Sequence, residues 1–276
     1  MSLLTIDNLR ISFPTEQGLT EVVKGISFEL GRERLGIVGE SGSGKSMTGR
    51  AILRLIGKPG TVTADRMEFD GIDLAGLSER RMRALRGARI SMVMQDPKFS
   101  LNPVMRIGDQ IGEVLSFHRK MNAAARRKRV MEVLEAVRIT DAERVYKLYP
   151  HEVSGGMGQR IMIAMMVILE PDLMIADEPT SALDVSVQAQ VLDIMDDLVN
   201  RTGMGLIIIS HDLNMVARYC DRILVMFNGE IVETCAAKDL ADAQHPYTQG
   251  LLASMPTIDE RRTRLPVLDR TLLGGD

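Results

Sequence analysis

Tryptophan is absent from the 276 residues, and the aromatic side chains amount to six Phe and four Tyr. Platforms on which a base could stack are therefore few. Cysteine occurs only at Cys220 and Cys235, too few for a disulfide framework or a closed all-cysteine metal site, and a pair suited to a reducing cytosol. No stretch reaches the roughly 18–20 continuous apolar residues that a spanning helix needs; "IMIAMMVIL" (161–169) is the longest and reads as a buried core helix. "MSLLTIDNLR" lacks the basic leader and apolar run of a signal peptide, so none is expected. A net positive charge is also missing: the formal net charge is −3, so a general attraction to nucleic acid is not expected. Internal repeats and low-complexity segments do not occur.

Methionine is plentiful instead, at 19 residues. Most sit within apolar runs, where the flexible thioether fills core gaps. "LLTIDNLRISF" and "VVKGISFEL" alternate apolar with polar residues, as strands of a sheet with one wet face do. "RLGIVG" (34–39), "DLMIAD" (172–177), "GLIIIS" (205–210) and "RILVMF" (222–227) are continuously apolar, which predicts strands buried on both faces of a mixed or parallel sheet. Between 100 and 170 the pattern becomes helical. In "MNAAARRKRVMEVLEAVRI" (121–139), Val130, Val133, Leu134 and Val137 recur at helical spacing, and the "RRKR" run at 126–129 reads as a solvated polar face. "HPYTQGLLASMP" (245–256) predicts a short helix stopped by Pro256, followed by a loosely held tail.

The chemistry concentrates in "GESGSGKS" (39–46), which matches G-x-x-x-x-G-K-[ST] between a buried strand and the helix "MTGRAILRLIG". Gly39, Gly42 and Gly44 let successive backbone N–H groups, including those of Ser41 and Ser43, face one point, and the helix start beginning near Met47 adds partial positive charge there. Lys45 can reach β- and γ-phosphates, and the Ser46 hydroxyl can ligate Mg²⁺. Ligands in open α/β sheets sit beyond the carboxyl ends of the strands. Asp177, Glu178, His211 and Gln95 all occupy such ends. Asp177 and Gln95 are candidate metal ligands, with Gln95 alternatively holding a water. Glu178 is a candidate base toward an attacking water, and His211 a candidate γ-phosphate contact. A second anion grip, "VSGGMGQR" (153–160), opens the apolar helix that follows.

Together these residues resemble the nucleotide-binding subunit of an ATP-binding cassette (ABC) transporter over residues 3 to about 255. "GESGSGKS" is similar to Walker A, "LMIADE" to Walker B, "SALD" (181–184) to the D-loop with Ser181 and Asp184, "ISHD" to the switch histidine and "VMQDP" to the Q-loop. "SGGMG" takes the place of the signature. The resemblance implies an α/β P-loop NTPase core with a mixed, RecA-like sheet, an N-terminal antiparallel β subdomain and an inserted α-helical subdomain. Core segments are expected at 1–98 and 168–235, the helical insertion at 99–167, and a C-terminal helix and tail at 236–276. It further implies ATP and Mg²⁺, and a sandwich in which Ser154, Gly155, Gly156 and Gln159 cap the γ-phosphate of ATP held by a facing subunit. The second grip thus implies a second chain. Phe13, at the end of the first strand, is the candidate for adenine stacking.

"QDPKFSLNPVMRIGDQI", "YPHEVSGGMGQR" and "HPYTQGLLASMP" are similar to the oligopeptide, dipeptide and nickel uptake subgroup. That likeness implies a peripheral ATPase on the cytoplasmic face of the plasma membrane, two membrane permease subunits, an extracytoplasmic solute-binding protein acting indirectly, a related second ATPase subunit ahead of an identical one, and no nucleic acid. Phe99, Leu101 and Met105 are candidate contacts to the permeases, with internal packing as the alternative. Two departures stand out. Gly158 replaces the arginine usual in this signature, at a helix cost of roughly 1 kcal/mol, so slightly weaker closure is expected. The chain also lacks the Pro- and Cys-containing extension that holds an iron–sulfur cluster in some members, so no cluster is expected. The competing class, a soluble ABC ATPase acting on DNA or ribosomes, needs a second cassette or a long coiled coil; a P-loop GTPase needs an N-K-x-D motif that is absent.

Overall fold

The computed structural model describes residues 2–94, 100–181 and 183–254. Gln95 and Phe99, and the chain from 255 onward, lie outside the described residues. Two sheets organise the rest. β1 (Leu4–Thr15) and β2 (Gly18–Leu30) form an antiparallel hairpin, and β1 also pairs with β4 (Thr61–Thr63) and β5 (Arg66–Phe69), which carries β6 (Ile72–Asp73). A register shift between Ile6 and Leu9 resets the alternation of β1, so that Leu4, Ile6, Leu9 and Ile11 all face inward.

The second sheet has six strands in the order β11 (Glu230–Ala236), β10 (Arg222–Phe227), β3 (Arg34–Val38), β9 (Gly205–Ser210), β8 (Leu173–Asp177), β7 (Ile90–Val93). All its pairings are parallel except β10 with β11. The mixed sheet and the antiparallel subdomain expected from the sequence are both present. The continuous apolar runs have the predicted cause, because the sheet is covered on both faces. On one face Ile37, Ile175, Ile207 and Ile209 pack with the antiparallel sheet and with Ala51 and Ile52 of α1 (Lys45–Ile52). On the other face Val38, Ala176, Ile208 and Val225 meet the helices.

Those helices are α3 (Ile107–His118), α4 (Ala123–Ala136), α5 (Ala142–Lys147) and α6 (Gly155–Val167) between β7 and β8, then α7 (Val185–Thr202), α8 (Leu213–Tyr219) and α9 (Pro246–Ser254); α2 (Glu79–Leu85) precedes β7. Val130, Val133 and Leu134 of α4, with Val137 just beyond it, are buried, as their spacing predicts. The "RRKR" run is not merely solvated. Arg127 reaches Glu143 at 2.5 Å and lies over the Tyr146 ring, and Arg129 reaches Glu170 at 2.6 Å, so both brace the lobe. α6 stays unbroken through Gly155, Gly156 and the buried Gly158, with the Ser154 hydroxyl accepting from the Met157 amide at its start. No described helix is long and apolar enough to cross a membrane. Met174, Met195 and Met226 are fully packed, in line with core filling, and burial pushes the Cys220 thiol up to about 12, leaving it inert.

The inserted helices share one continuous apolar cluster with α7 and the sheet. Leu134, fully buried in α4, is thus a test of that continuity. Leu134→Ala is expected to lower stability by about 2–5 kcal/mol, and calorimetry should show a single transition moving down rather than a separate lobe transition appearing.

Candidate active site

The parallel strands end on one edge, and the catalytic candidates arrive there from β3, β8 and β9. β3 and β9 are direct neighbours, and β8 is the next strand over. Leaving β3, the chain must turn at once. Gly39 has φ of +149°, and a side chain there would come within 2.1 Å of the Met226 carbonyl oxygen, so only glycine fits. Gly44 then caps α1. The loop encloses Lys45, which is 6% exposed. Its Nζ donates to the Gly39 and Glu40 carbonyls at 2.7 Å each and to Ser43 Oγ at 3.3 Å. Burial pushes the Lys45 pKa down, against the opposing pull of Glu178, Asp177 and Glu40.

At the second residue of α1, Ser46 Oγ donates to Asp177 Oδ1 at 2.7 Å. Asp177 is 3% exposed. Burial raises its pKa, partly offset by the Ser46 hydrogen bond and by Arg50. Two hard oxygen donors thus stand beside a phosphate-binding loop, the donor chemistry that Mg²⁺ takes. Glu178 follows with φ of +49°, a conformation held by its amide donating to Ile209 O at 2.9 Å. That turn swings its carboxylate out of the strand direction, and Oε1 lies 2.9 Å from His211 Nδ1. The histidine side chain is 67% exposed and the glutamate 14%, so the pair forms the wet lip of the site. A cleft of about 850 Å³ joins these groups, lined by Ser41, Gly42, Ser46, Met47, Glu178 and His211 among others.

Phe13 and Gln159 are not among the residues that line the cleft. The Phe13 ring packs against Gly60, and the apolar side chain lining the cleft from that hairpin is Val22. Gln159 is 1% exposed on the inner side of α6, and its Nε2 has no hydrogen-bond partner among the described residues. Ser154 and Gly155 are exposed, and neither they nor Gly156 line the cleft. Gly156 instead abuts α7, where a side chain on it would meet Val187 Cγ1 at 2.6 Å. The same α7 starts at Asp184, whose carboxylate accepts from the Ser186 hydroxyl at 2.7 Å and from the Val187 amide at 3.0 Å; these bonds hold its pKa below the usual range. Ser181 Oγ donates to the Glu178 carbonyl at 3.2 Å. Of the permease-contact candidates, Leu101 is 5% exposed and packs inward, whereas its neighbour Val104 is 79% exposed. Gln110 ties this segment down, accepting from Asn102 N and donating to the Asn102 and Met105 carbonyls.

One contact had no signal in the sequence. The Glu40 amide, inside the phosphate loop, donates to the Tyr247 hydroxyl at 2.9 Å, joining α9 to the loop across 207 residues. No spacing rule links a tyrosine near the C-terminus to a loop near the N-terminus.

A lysine-centred phosphate loop, a Ser–Asp oxygen pair and a Glu–His lip at the ends of parallel strands define a P-loop ATPase. The chain belongs to the ABC transporter family, whose sequence model matches residues 23–181. It is 46% identical over 272 residues to the dipeptide transport ATP-binding protein DppD of Bacillus subtilis, covering 98% of this chain and 81% of that one. Identity to the oligopeptide transport ATP-binding protein OppD of the same organism is 48%, covering 96% and 76% of the two chains. The Escherichia coli DppD is 44% identical, covering 99% and 84%. Among solved structures, the dimeric bacterial ABC transporter cassette MJ0796 superposes with a TM-score of 0.74 at 26% identity, covering 85% of this chain and 99% of that one.

The raised Asp177 pKa has a definite sign. A native carboxyl with an elevated pKa binds protons more tightly than the unfolded one, so stability falls as pH rises from the ordinary carboxylate range through the raised native value. Asp177→Asn keeps an acceptor for Ser46 and removes the charge. Its melting temperature at neutral pH should rise by about 2 °C or more, and that gain should disappear in acid, while ATP turnover is lost. Gly156→Ala should cost about 1–3 kcal/mol by overpacking; adding Val187→Ala should recover most of it in a double-mutant cycle.

Proposed function

We propose that this chain is the ATP-hydrolysing subunit of an importer for dipeptides or oligopeptides. It works at the cytoplasmic face of the plasma membrane, docked on two permease subunits that receive solute from an extracytoplasmic binding protein. The observation that carries the reading is the separation of two phosphate grips. The cleft contains the phosphate loop, Glu178 and His211, but Ser154, Gly155 and Gly156 lie outside it. A signature that serves no nucleotide in its own cleft has a use only across an interface, where its hydroxyl and backbone N–H groups meet a triphosphate held by a second ATPase subunit. A related but distinct partner subunit is favoured. Relatives named for dipeptide and oligopeptide transport support a peptide cargo.

On ATP binding, Lys45 leaves the loop carbonyls for the phosphate oxygens, an exchange of one set of acceptors for a charged and stronger one. Ser46 and Asp177 would hold Mg²⁺, and Gln95 is proposed as a further ligand; bound there, the ion would neutralise charge on the phosphates. Glu178 takes the proton of the attacking water and His211 contacts the γ-phosphate, with its imidazole already oriented by the 2.9 Å contact to Glu178. Asp184 and Ser181 keep the segment after Glu178 in place. The adenine finds Val22 and Met47 at the cleft, with Phe13 of the same hairpin as its stacking partner. Gln159, buried in this chain, belongs with Ser154, Gly155 and Gly156 to the proposed grip on the second subunit's nucleotide. The exposed Val104, with Met105, faces the permeases.

Glu178→Gln tests the reading directly. Steady-state ATP hydrolysis should fall at least about a hundredfold, the lower range for removal of a general base, while equilibrium binding of ATP stays within about twofold of the parent. Turnover at the parental rate would remove Glu178 from the chemistry.

A further inference from the structure

Among the described residues, Tyr247 ties the C-terminal segment to the nucleotide site. Tyr247, in α9, has no exposed surface. Its ring lies against Phe227, with centroids 4.3 Å apart and planes tilted by 38°. Phe227 ends β10, directly after Met226, whose carbonyl oxygen crowds Gly39. The Tyr247 hydroxyl accepts the Glu40 amide hydrogen at 2.9 Å. Lys45 Nζ holds the carbonyl of the same residue at 2.7 Å. Glu40, the second residue of the phosphate loop, is therefore gripped at both of its backbone groups, on one side by the lysine that must move to phosphate and on the other by a tyrosine 207 residues away.

α9 is itself firmly placed. Glu233, on β11, accepts from the Gln244 amide at 2.6 Å and from the His245 amide at 3.3 Å. His245 Nδ1 accepts from the Tyr247 amide at 3.2 Å. Gln249 Nε2 closes the turn by donating to the Ala243 carbonyl at 3.1 Å. None of these residues falls within the 23–181 span that matches the family. A buried tyrosine can end on any polar group. This one ends on an amide of the loop whose backbone shape sets phosphate affinity.

We propose that Tyr247 is a positioning residue of the phosphate loop, and that through it nucleotide occupancy and the ordering of α9 are coupled. When Lys45 releases the Glu40 carbonyl for phosphate, the Tyr247 bond is the tie that keeps the loop in its receptive shape. The coupling is reciprocal by thermodynamic necessity: a helix that tightens the nucleotide is tightened by it. The proposal rests on the ATPase reading above, and nucleotide binding by the parental chain tests that reading separately.

The experiment uses the full chain, with Mg²⁺ and a non-hydrolysable ATP analogue as ligand. Calorimetric titration and steady-state hydrolysis are measured for the parent and for Tyr247→Phe, alongside hydrogen exchange of residues 246–254 with and without the analogue. In Tyr247→Phe the dissociation constant and KM should rise about three- to tenfold, with kcat at saturation within about twofold. The analogue should slow exchange in 246–254 of the parent and lose that effect in the variant. Unchanged affinity in Tyr247→Phe would overturn the proposal, as would a fall in kcat with KM unmoved. So would parental exchange in 246–254 that is blind to nucleotide, a result that stands even if the variant folds poorly. A parental chain that binds no nucleotide at all would instead refute the ATPase reading.

Discussion

A buried ammonium group with nowhere to go but its own loop is the constraint on which the molecule turns. Lys45 is held by two carbonyls of the loop that encloses it, and charge placed in so enclosed a site must be paired or hydrogen-bonded. The loop can enclose it only because β3 ends in a glycine pressed against β10, and β3 lies where it does because the sheet is buried on both faces. Ser46 and Asp177 repeat the logic for oxygen ligands, each satisfying the other. The site is a set of polar groups that hold one another in place, and in the proposed reading a single ligand, a triphosphate with its metal, would displace them together.

The surrounding elements lie in direct contact with that site. Glu178 and His211 stand at the lip. Glu178's carbonyl accepts from Ser181, and the chain then runs through Asp184 into α7, whose Val187 abuts Gly156 of the signature helix. Inside one subunit, the proposed base and the proposed signature are thus linked by a short path of direct contacts. Each lies at a different mouth in the proposed sandwich, so the path joins two nucleotide sites.

The legibility of the sequence followed the range of the forces involved. The phosphate loop, the strand-end acids and the doubly buried strands could be read because local backbone geometry and burial write directly into residue spacing. The lobe could be read from the spacing of Val130, Val133, Leu134 and Val137 in the same way. Orientation at single positions could not. The Phe13 ring lies against Gly60, and Gln159 is buried on the inner side of α6. In each case the choice belongs to tertiary packing. Leu101 packs inward while Val104 is exposed, because Gln110 fixes the segment by three backbone hydrogen bonds that no periodicity announces. The Tyr247–Glu40 bond is more remote still.

The account stands most directly on where Lys45 Nζ goes. A crystal structure of the full chain with Mg²⁺ and a non-hydrolysable ATP analogue should show Nζ detached from the Gly39 and Glu40 carbonyls and bonded to phosphate oxygens, with the ion between Ser46 and Asp177. A bound analogue that leaves Nζ on those carbonyls and the Ser46–Asp177 hydrogen bond intact would contradict it.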